Sequence, residues 1–161
     1  MSTASVVLLW LFVITLGTAF GAGVYEHRMV VPTWLTSAPG SELHWNAEAA
    51  RRGDSGHRFW VFVTTGPLTL LALANLIMAW RSGGGIRGWW LAAGLVALAE
   101  RLLTFSYFIP TMVRLMRAPD SSQAVASARR WWRVNYVRHA LVLVAWLASL
   151  RALVAIYTPR A

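Results

Sequence analysis

Long apolar stretches alternate with short polar segments along the chain, and four of the stretches are near the ~20 residues that a helix needs to cross a bilayer. The predicted spans cover residues 6–31, 59–80, 88–113 and 131–156. This pattern predicts an all-α fold, an integral membrane four-helix bundle in an up-down-up-down arrangement. Residues 1–161 form a single four-span domain in this interpretation.

The connections between the predicted spans differ in length. Residues 32–57 form one long loop, which is long enough to cover a site and in which residues 42–52 are compatible with a short amphipathic helix. A glycine-rich turn at residues 81–87 makes the second and third spans neighbours. In the last connection, the stretch Ala118-Pro119-Asp120-Ser121 predicts a helix stop and an N-cap for a short surface helix.

Composition supports a membrane protein, since 57% of the residues are hydrophobic, 13% are charged and the mean hydropathy is +0.51. The formal net charge of +9 comes from arginine alone, because the chain contains no lysine. The arginines lie mainly at the ends of the apolar stretches, where they report membrane topology. We therefore expect the lipid bilayer as a partner, and no nucleic acid.

The arginines are unequally divided between the two ends of the predicted bundle. On the long-loop side are Arg28, Arg51, Arg52, Arg58, Arg114, Arg117, Arg129, Arg130 and Arg133. On the other side are Arg81, Arg87, Arg151 and Arg160. The positive-inside rule then places the long loop in the cytoplasm and both termini outside, in a multi-pass protein of the bacterial inner membrane.

The chain has no cysteine, which excludes structural disulfides, iron–sulfur clusters and thiolate-ligated haem. No cofactor and no metal ligand is predicted. A haem or metal site is left open because Glu26, His27, Glu100 and His139 are ligand types, although none of them has the Glu-x-x-His spacing of di-iron bundles.

Ionisable side chains stand at the centre of the third predicted span, where they cost several kcal/mol unless they face protein or water. Glu100 shares a helical stripe with Thr104 and Tyr107, so we expect this stripe to face a pocket. Arg101 lies about 100° further round the helix and is expected to bridge to a neighbouring helix. Arg138 is then the expected cationic partner of Glu100. The alternative is a structural ion pair of Glu100 with Arg138 or Arg101.

Polar or aromatic groups from all four spans fall in the half of the bundle near the long loop. With a rise of 1.5 Å per residue, Arg138 lies ~10 Å and Glu100 ~20 Å below that surface. Trp60, Thr64 and Asn135 lie between Glu100 and the long-loop surface, and Glu26 lies at that surface. The sequence therefore predicts a pocket under the long loop. Trp131 as an interfacial belt residue and His139 as a hydrogen-bonded interior histidine are the alternatives for those two residues.

Several short motifs resemble the anthrone oxygenase-like family of small membrane proteins. They are Gly17, Gly21 and Gly23 with Tyr25-Glu26 and Pro32, the stretch Phe105-Ser106-Tyr107-Phe108-Ile109-Pro110, and Asn135-x-x-Arg138. The resemblance implies four spanning helices and, as in some members, insertion of oxygen into an anthrone to give an anthraquinone without metal or flavin.

Such chemistry needs a base and donors that stabilise the resulting anion. The candidate catalytic residues are Glu26, Glu100 and His139 as the base, with Asn135 and Arg138 as anion-stabilising donors. The candidate substrate-binding residues are Trp60, Thr64, Arg101, Thr104, Tyr107 and Trp131.

The leading hypothesis is a small membrane oxidoreductase, an oxygenase-like enzyme acting on a lipophilic aromatic or quinone-like molecule. The alternative is a non-catalytic binding or accessory protein that holds a lipid, a quinone or haem. A transporter ranks third, because four helices form only a small pathway unless the protein is a homo-oligomer, which is left open.

Overall fold

The computed structural model describes residues 2–37, 42–53 and 56–158, and it is mainly helical. Four helical segments are long and apolar enough to cross a membrane: Thr3–Trp34, Arg58–Arg81, Gly85–Arg117 and Ser122–Tyr157. The prediction of a helical protein with four spans is confirmed. Each segment extends beyond its predicted ends, because hydropathy marks only the apolar part of a helix that continues into polar residues. Arg160 lies outside the described residues.

The first three spans change from α- to π-helical hydrogen bonding near the long loop. The α-helices are α1 (Thr3–Tyr25), α2 (Ala47–Gly53), α3 (Pro67–Arg81), α4 (Gly85–Leu103), α5 (Ile109–Arg117) and α6 (Ser122–Tyr157). The π segments are π1 (Glu26–Val30), π2 (Gly56–Thr65) and π3 (Thr104–Phe108). Helix α1 is capped by Ser2, whose hydroxyl accepts from the Ser5 amide at 3.2 Å.

A proline lies two residues beyond the end of each π segment, at Pro32, Pro67 and Pro110. Proline lacks the amide that would bond the carbonyl four residues earlier, and its ring crowds that carbonyl. The preceding turn can relieve this by widening, as at Gly66, whose amide donates to the carbonyl of Val61 at 3.4 Å. Such π turns are rare in proteins overall, but those that occur are often found at functional sites.

The long loop contains a short β-ladder, which the sequence did not predict, within a fold that is otherwise α-helical as expected. Strands β1 (Leu35–Thr36) and β2 (His44–Trp45) pair antiparallel, with Leu35 opposite Trp45. Two residues per strand are too few to give a readable alternation in the sequence. The expected short helix is present as α2, which is displaced toward the C-terminal end of the predicted range.

The connection between α5 and α6 also differs from the prediction. No separate surface helix follows Ser121; instead the Ser121 hydroxyl accepts from the Ala124 amide at 3.2 Å and caps α6 itself. Helix α6 then runs without interruption to Tyr157, since it contains no proline or glycine. The tight turn before α4 uses Gly84 at φ 71°, a backbone conformation that favours glycine.

The long loop is fixed to this connection by polar contacts. Asp120 accepts from the Trp45 amide at 2.8 Å and contacts the His44 ring at 2.7 Å. The indole of Trp45 donates to the Leu115 carbonyl at 2.9 Å, and Arg51 donates to the Met116 carbonyl. The Trp45 amide, and after it the His44 ring, hold the pKa of the exposed Asp120 carboxyl below its ordinary value.

Two apolar clusters hold the described residues together. The first lies between α1, α3, α4 and α6, where α4 packs against α3 and α6, and α1 packs against α6 and α3. Its central residues include Phe12, Leu68, Trp90 and Ala145. The second cluster packs the long loop on the ends of α5 and α6 and includes Trp34, Trp45, Phe108, Leu115 and Trp131.

Asn75 is a buried polar residue at the contact of α1, α3 and α4. Its side chain is fully buried, and its Oδ1 accepts from the Trp90 indole at 2.9 Å. Its Nδ2 donates to the carbonyls of Leu8 and Leu71 at 3.1 and 2.9 Å. All the polar atoms of this amide are thus satisfied by α1, α3 and α4.

Candidate functional site

A cavity of about 270 Å³ lies between the two apolar clusters, at the level of the three π segments. All four spans line it, since Glu26 comes from π1, Trp60 from π2, Glu100 from α4 and Arg138 from α6. Its other polar lining residues are Thr64, Thr65, Arg101, Thr104 and His139. The cavity thus combines two carboxylates and two guanidinium groups with mainly apolar walls.

Glu100 forms its contacts within its own span. The predicted pairing of Glu100 with Arg138 is not present. Oε2 of Glu100 accepts from Nε of Arg101 at 2.6 Å, and its Oε1 accepts from the Thr104 hydroxyl at 2.8 Å. Glu100 and Arg101 are 1% and 5% exposed. The prediction failed because it considered only helical direction, whereas the long Arg101 side chain folds back to the preceding residue. The structural ion pair with Arg101, weighed as an alternative, is the arrangement present.

Arg101 also makes the contact to a neighbouring helix that the sequence predicted. Its Nη1 donates to the carbonyl of Thr64 at 3.2 Å, and Thr64 itself donates to the carbonyl of Trp60 at 3.0 Å. The pair with Glu100 therefore connects the third span to π2 of the second span. The charges of this pair offset each other in the interior, and both carboxylate oxygens of Glu100 are engaged.

Arg138 lies on the other side of the cavity, between aromatic rings and a second carboxylate. Its guanidinium carbon is 5.4 Å from the ring centroid of Trp60 and 4.9 Å from that of Phe108. Its Nη2 is 3.8 Å from Oε2 of Glu26, and Oε1 of Glu26 accepts from the Trp60 indole at 2.9 Å. A charge-assisted hydrogen bond is typically ~2.7–2.9 Å, so this pair is looser than that of Glu100.

His139 lines the cavity beside Arg138 and packs closely against the first span. A Cβ atom on Gly23 would come within 2.8 Å of the His139 ring carbon Cε1, so glycine is needed for this approach. Nε2 of His139 is buried and has no hydrogen-bond partner among the described residues. The alternative of a hydrogen-bonded interior histidine is therefore not what the structure shows for this nitrogen.

A second histidine, His27, lies next to His139 outside the cavity lining. The two rings meet edge to face with centroids 5.4 Å apart, and His27 also contacts Tyr136 and Trp132. Both ring nitrogens of His27 are buried, with no hydrogen-bond partner in the described part of the chain.

Two predicted site residues lie outside the lining of the cavity, Asn135 and Tyr107. Asn135 is 2% exposed and donates back to the carbonyl of Trp131 at 3.3 Å. Tyr107 packs edge-on against Phe108 at a centroid distance of 5.3 Å. The α-helical spacing placed Tyr107 on the same helical stripe as Thr104. That spacing does not apply here, because a π turn holds about one more residue per turn. Phe108 lines the cavity instead.

The remaining candidate residues line the cavity as predicted. Trp131 is 5% exposed and donates to the Phe108 carbonyl at 3.3 Å, so it is an interior residue and not part of an interfacial belt. Three residues of the site were not predicted as such: Trp34 and Phe108, which line the cavity, and Gly23, which packs against His139. The prolines after the π segments were the available signal for Phe108, whereas Trp34 carries no comparable signal in the sequence.

The described residues contain no group of three or more histidine, aspartate or glutamate side chains that could hold a metal ion. No protein-family model matches the chain, and no curated protein and no solved structure is significantly similar to it.

Proposed function

We propose that this protein is a small membrane enzyme of oxygenase type, acting on a flat, lipophilic aromatic or quinone-like molecule bound in the cavity. One observation carries the proposal: the Arg138 guanidinium lies near the rings of both Trp60 and Phe108, in a cavity that is also lined by His139, whose Nε2 has no hydrogen-bond partner among the described residues. A cation, a flat aromatic wall and a candidate base thus meet in one cavity.

The size and walls of the cavity favour a small, flat ligand. Its volume of about 270 Å³ lies just below the ~300–1,000 Å³ of sites for drug-sized ligands. Trp60, Phe108 and Trp131 offer ring faces and edges for stacking. Arg138 favours a ligand that carries, or develops, negative charge on oxygen.

Among the predicted bases, the contacts favour His139 over Glu26 and Glu100. Both oxygens of Glu100 accept hydrogen bonds from its own span. Glu26 accepts from the Trp60 indole and faces Arg138, whereas Nε2 of His139 has no hydrogen-bond partner among the described residues, and a neutral histidine can accept a proton on that nitrogen. We assign Glu100 and Arg101 to holding the second and third spans together.

The reaction proposed on the basis of the anthrone oxygenase-like resemblance can be written in balanced steps. The base removes a proton from the methylene carbon of an anthrone, and the electron pair is delocalised onto the carbonyl oxygen, whose charge Arg138 stabilises. That carbon then gives its electrons to O₂, forming a C–O bond, and the peroxide takes up the proton. Loss of water breaks the O–O bond and removes the second hydrogen, leaving an anthraquinone.

The orientation proposed for the bundle follows from contacts between neighbouring spans and from the arginines. Two contacts between each pair of neighbouring spans join residues whose order along one span is opposite to their order along the other. They are Ser5–Met78 and Glu26–Trp60 for the first and second spans, Leu76–Gly94 and Thr64–Arg101 for the second and third, and Gly17–Trp146 and Gly23–His139 for the first and fourth. They support the up-down-up-down arrangement. We place the long loop in the cytoplasm of a bacterial cell by the excess of arginine on its side. A reporter fused to the C-terminus should be active only outside the cytoplasm.

Oxygen consumption tests the enzymatic proposal. Protein in lipid vesicles is supplied with a dihydroxyanthrone, and O₂ uptake and quinone absorbance are followed against protein-free vesicles. We expect turnover above the spontaneous rate and a loss on the order of a hundredfold in Arg138→Ala, as for removal of one oxyanion donor. Arg151→Ala, which removes an exposed arginine of the same helix, is the matched control. Turnover equal to that of protein-free vesicles would contradict the proposal.

A non-catalytic binding protein is the second candidate, and one observation favours it. Both carboxylates of the cavity already accept hydrogen bonds within the protein, which leaves His139 as the base with an unpartnered nitrogen. This candidate predicts a co-purifying lipophilic molecule and no turnover. An absorption spectrum of the purified protein extends the test, because a Soret band would point to haem and contradict the cofactor-free reaction.

A further inference from the structure

Three lining residues of the cavity are also exposed at the outer surface of the bundle. They are Val61, Ile109 and Val113, with exposed fractions of 42%, 39% and 43%. Val61 belongs to π2, and the other two belong to α5. All three are aliphatic, and in a bundle of membrane spans such side chains face the acyl chains.

The end of the cavity toward the long loop is covered differently. Trp34 lines that end, is 4% exposed and packs against Trp131 with ring centroids 6.0 Å apart. Behind it, Trp45 is bonded to the Leu115 carbonyl. Trp34 and Trp45 at the loop end are thus buried and aromatic, whereas Val61, Ile109 and Val113 between π2 and α5 are exposed and aliphatic.

The exposed side lies close to the expected headgroup level. Arg114, which is exposed, follows Val113 directly, and Arg58 precedes Val61 by three residues, or ~4.5 Å along a helix. Exposed arginines at these positions are placed to meet lipid phosphates. The exposed aliphatic residues therefore face the outermost part of the acyl layer on that side.

We propose that the ligand enters the cavity sideways from the bilayer, between Val61 on one side and Ile109 and Val113 on the other. We call this gap the lateral opening. The inference rests on the proposed ligand cavity and narrows its substrate class. The substrate is a membrane-dissolved phenol or quinone whose oxygens lie near the headgroups and whose rings lie among the acyl chains. Glycosides and other strongly hydrated conjugates of the same ring system are excluded, because they do not partition to that depth.

Binding kinetics with a dihydroxyanthraquinone as the probe test the lateral opening. Protein in lipid vesicles is mixed with probe-loaded vesicles, and quenching of tryptophan fluorescence is followed by stopped flow. Val61→Phe and Val113→Phe narrow the opening without touching Arg138. We expect the association rate and the dissociation rate both to fall, on the order of tenfold. Val137→Phe is the matched control, since Val137 is 54% exposed on α6 and does not line the cavity.

A second version of the experiment does not depend on how the larger side chains fold. The chain has no cysteine, so Val61→Cys and Val137→Cys each provide one thiol for a bulky maleimide. Labelling should slow probe exchange in Val61→Cys and leave it unchanged in Val137→Cys. If labelling left the rate of probe exchange unchanged in Val61→Cys, as it should in Val137→Cys, the lateral opening would be overturned. An association rate that follows the aqueous probe concentration at constant membrane content would overturn it as well. Wild-type protein that binds no probe contradicts the ligand cavity itself.

Discussion

Removing one partner of the Glu100–Arg101 pair is predicted to destabilise the protein far more than removing both. Arg101→Met leaves the carboxylate of Glu100, which is 1% exposed, with only the Thr104 hydroxyl at 2.8 Å. Glu100→Gln leaves the Arg101 guanidinium, 5% exposed, with the Thr64 carbonyl but no counterion. Breaking a buried pair in this way typically costs ~3–5 kcal/mol of unfolding free energy.

The double variant Glu100→Gln with Arg101→Met contains neither charge. Its loss of unfolding free energy should therefore be smaller than that of either single variant, so it falls below the sum of the two single losses by at least ~3 kcal/mol. Unfolding is measured in mixed micelles by titration with sodium dodecyl sulfate, followed by circular dichroism. The exposed pair Arg52–Glu48, whose side chains are 77% and 64% exposed, is the control. Glu48→Gln should cost ~0–1 kcal/mol.

Two results would refute this reasoning. Single variants that lose less than ~1 kcal/mol would show that the pair behaves like a surface pair. Additive losses in the double variant would show that the two charges do not depend on each other. Either result would return Glu100 to the group of candidate bases, because its carboxylate would then not be needed to hold the second and third spans together.

Two further predictions concern single positions. Gly23→Ala places a Cβ about 2.8 Å from the His139 ring. It should weaken the binding of dihydroxyanthraquinone on the order of tenfold, measured by fluorescence titration. The control Gly21→Ala, whose Cβ meets no atom within 4 Å, should bind as the wild type does. The pKa of Asp120 is lowered because the Trp45 amide donates a hydrogen bond to its carboxylate. The contribution of Asp120 to loop docking is therefore present above the pKa of the unfolded chain, ~3.9, and is lost as the pH falls through the lower pKa of the folded protein. The protection factors of the loop amides, which compare the measured exchange rate with the intrinsic rate at the same pH, should therefore fall in acid in the wild type. In Asp120→Asn they should be lower already at neutral pH and depend less on pH; equal protection factors of both proteins at neutral pH would contradict this.

The sequence was sufficient to predict the spans and the half of the bundle that holds the cavity, because apolar length and polar stripes follow directly from helix geometry. It was not sufficient for the pairing of Glu100, which depends on side-chain reach as well as on helical direction. Tyr107 was misplaced because the α-helical period was applied across a π turn, and Pro110 two residues beyond that turn was the unused signal.

The long loop was the least predictable part of the site. Trp34 closes one end of the cavity, but its position depends on a two-residue β-ladder and on contacts of Trp45 and Asp120 with distant residues. Such long-range contacts leave no periodic pattern in the sequence. The prediction that a loop of this length covers a site came from its length alone, and the covering residues could not be named.

Equilibrium binding shows whether the cavity around Arg138 takes up a flat lipophilic molecule. Wild-type protein, Arg138→Gln and the exposed control Arg151→Gln are titrated in lipid vesicles with a dihydroxyanthraquinone, and quenching of tryptophan fluorescence is measured. We expect saturable binding in the wild type and the control, and a dissociation constant raised on the order of tenfold or more in Arg138→Gln. Absence of saturable binding in the wild type, or equal affinity in all three folded proteins, would contradict this expectation.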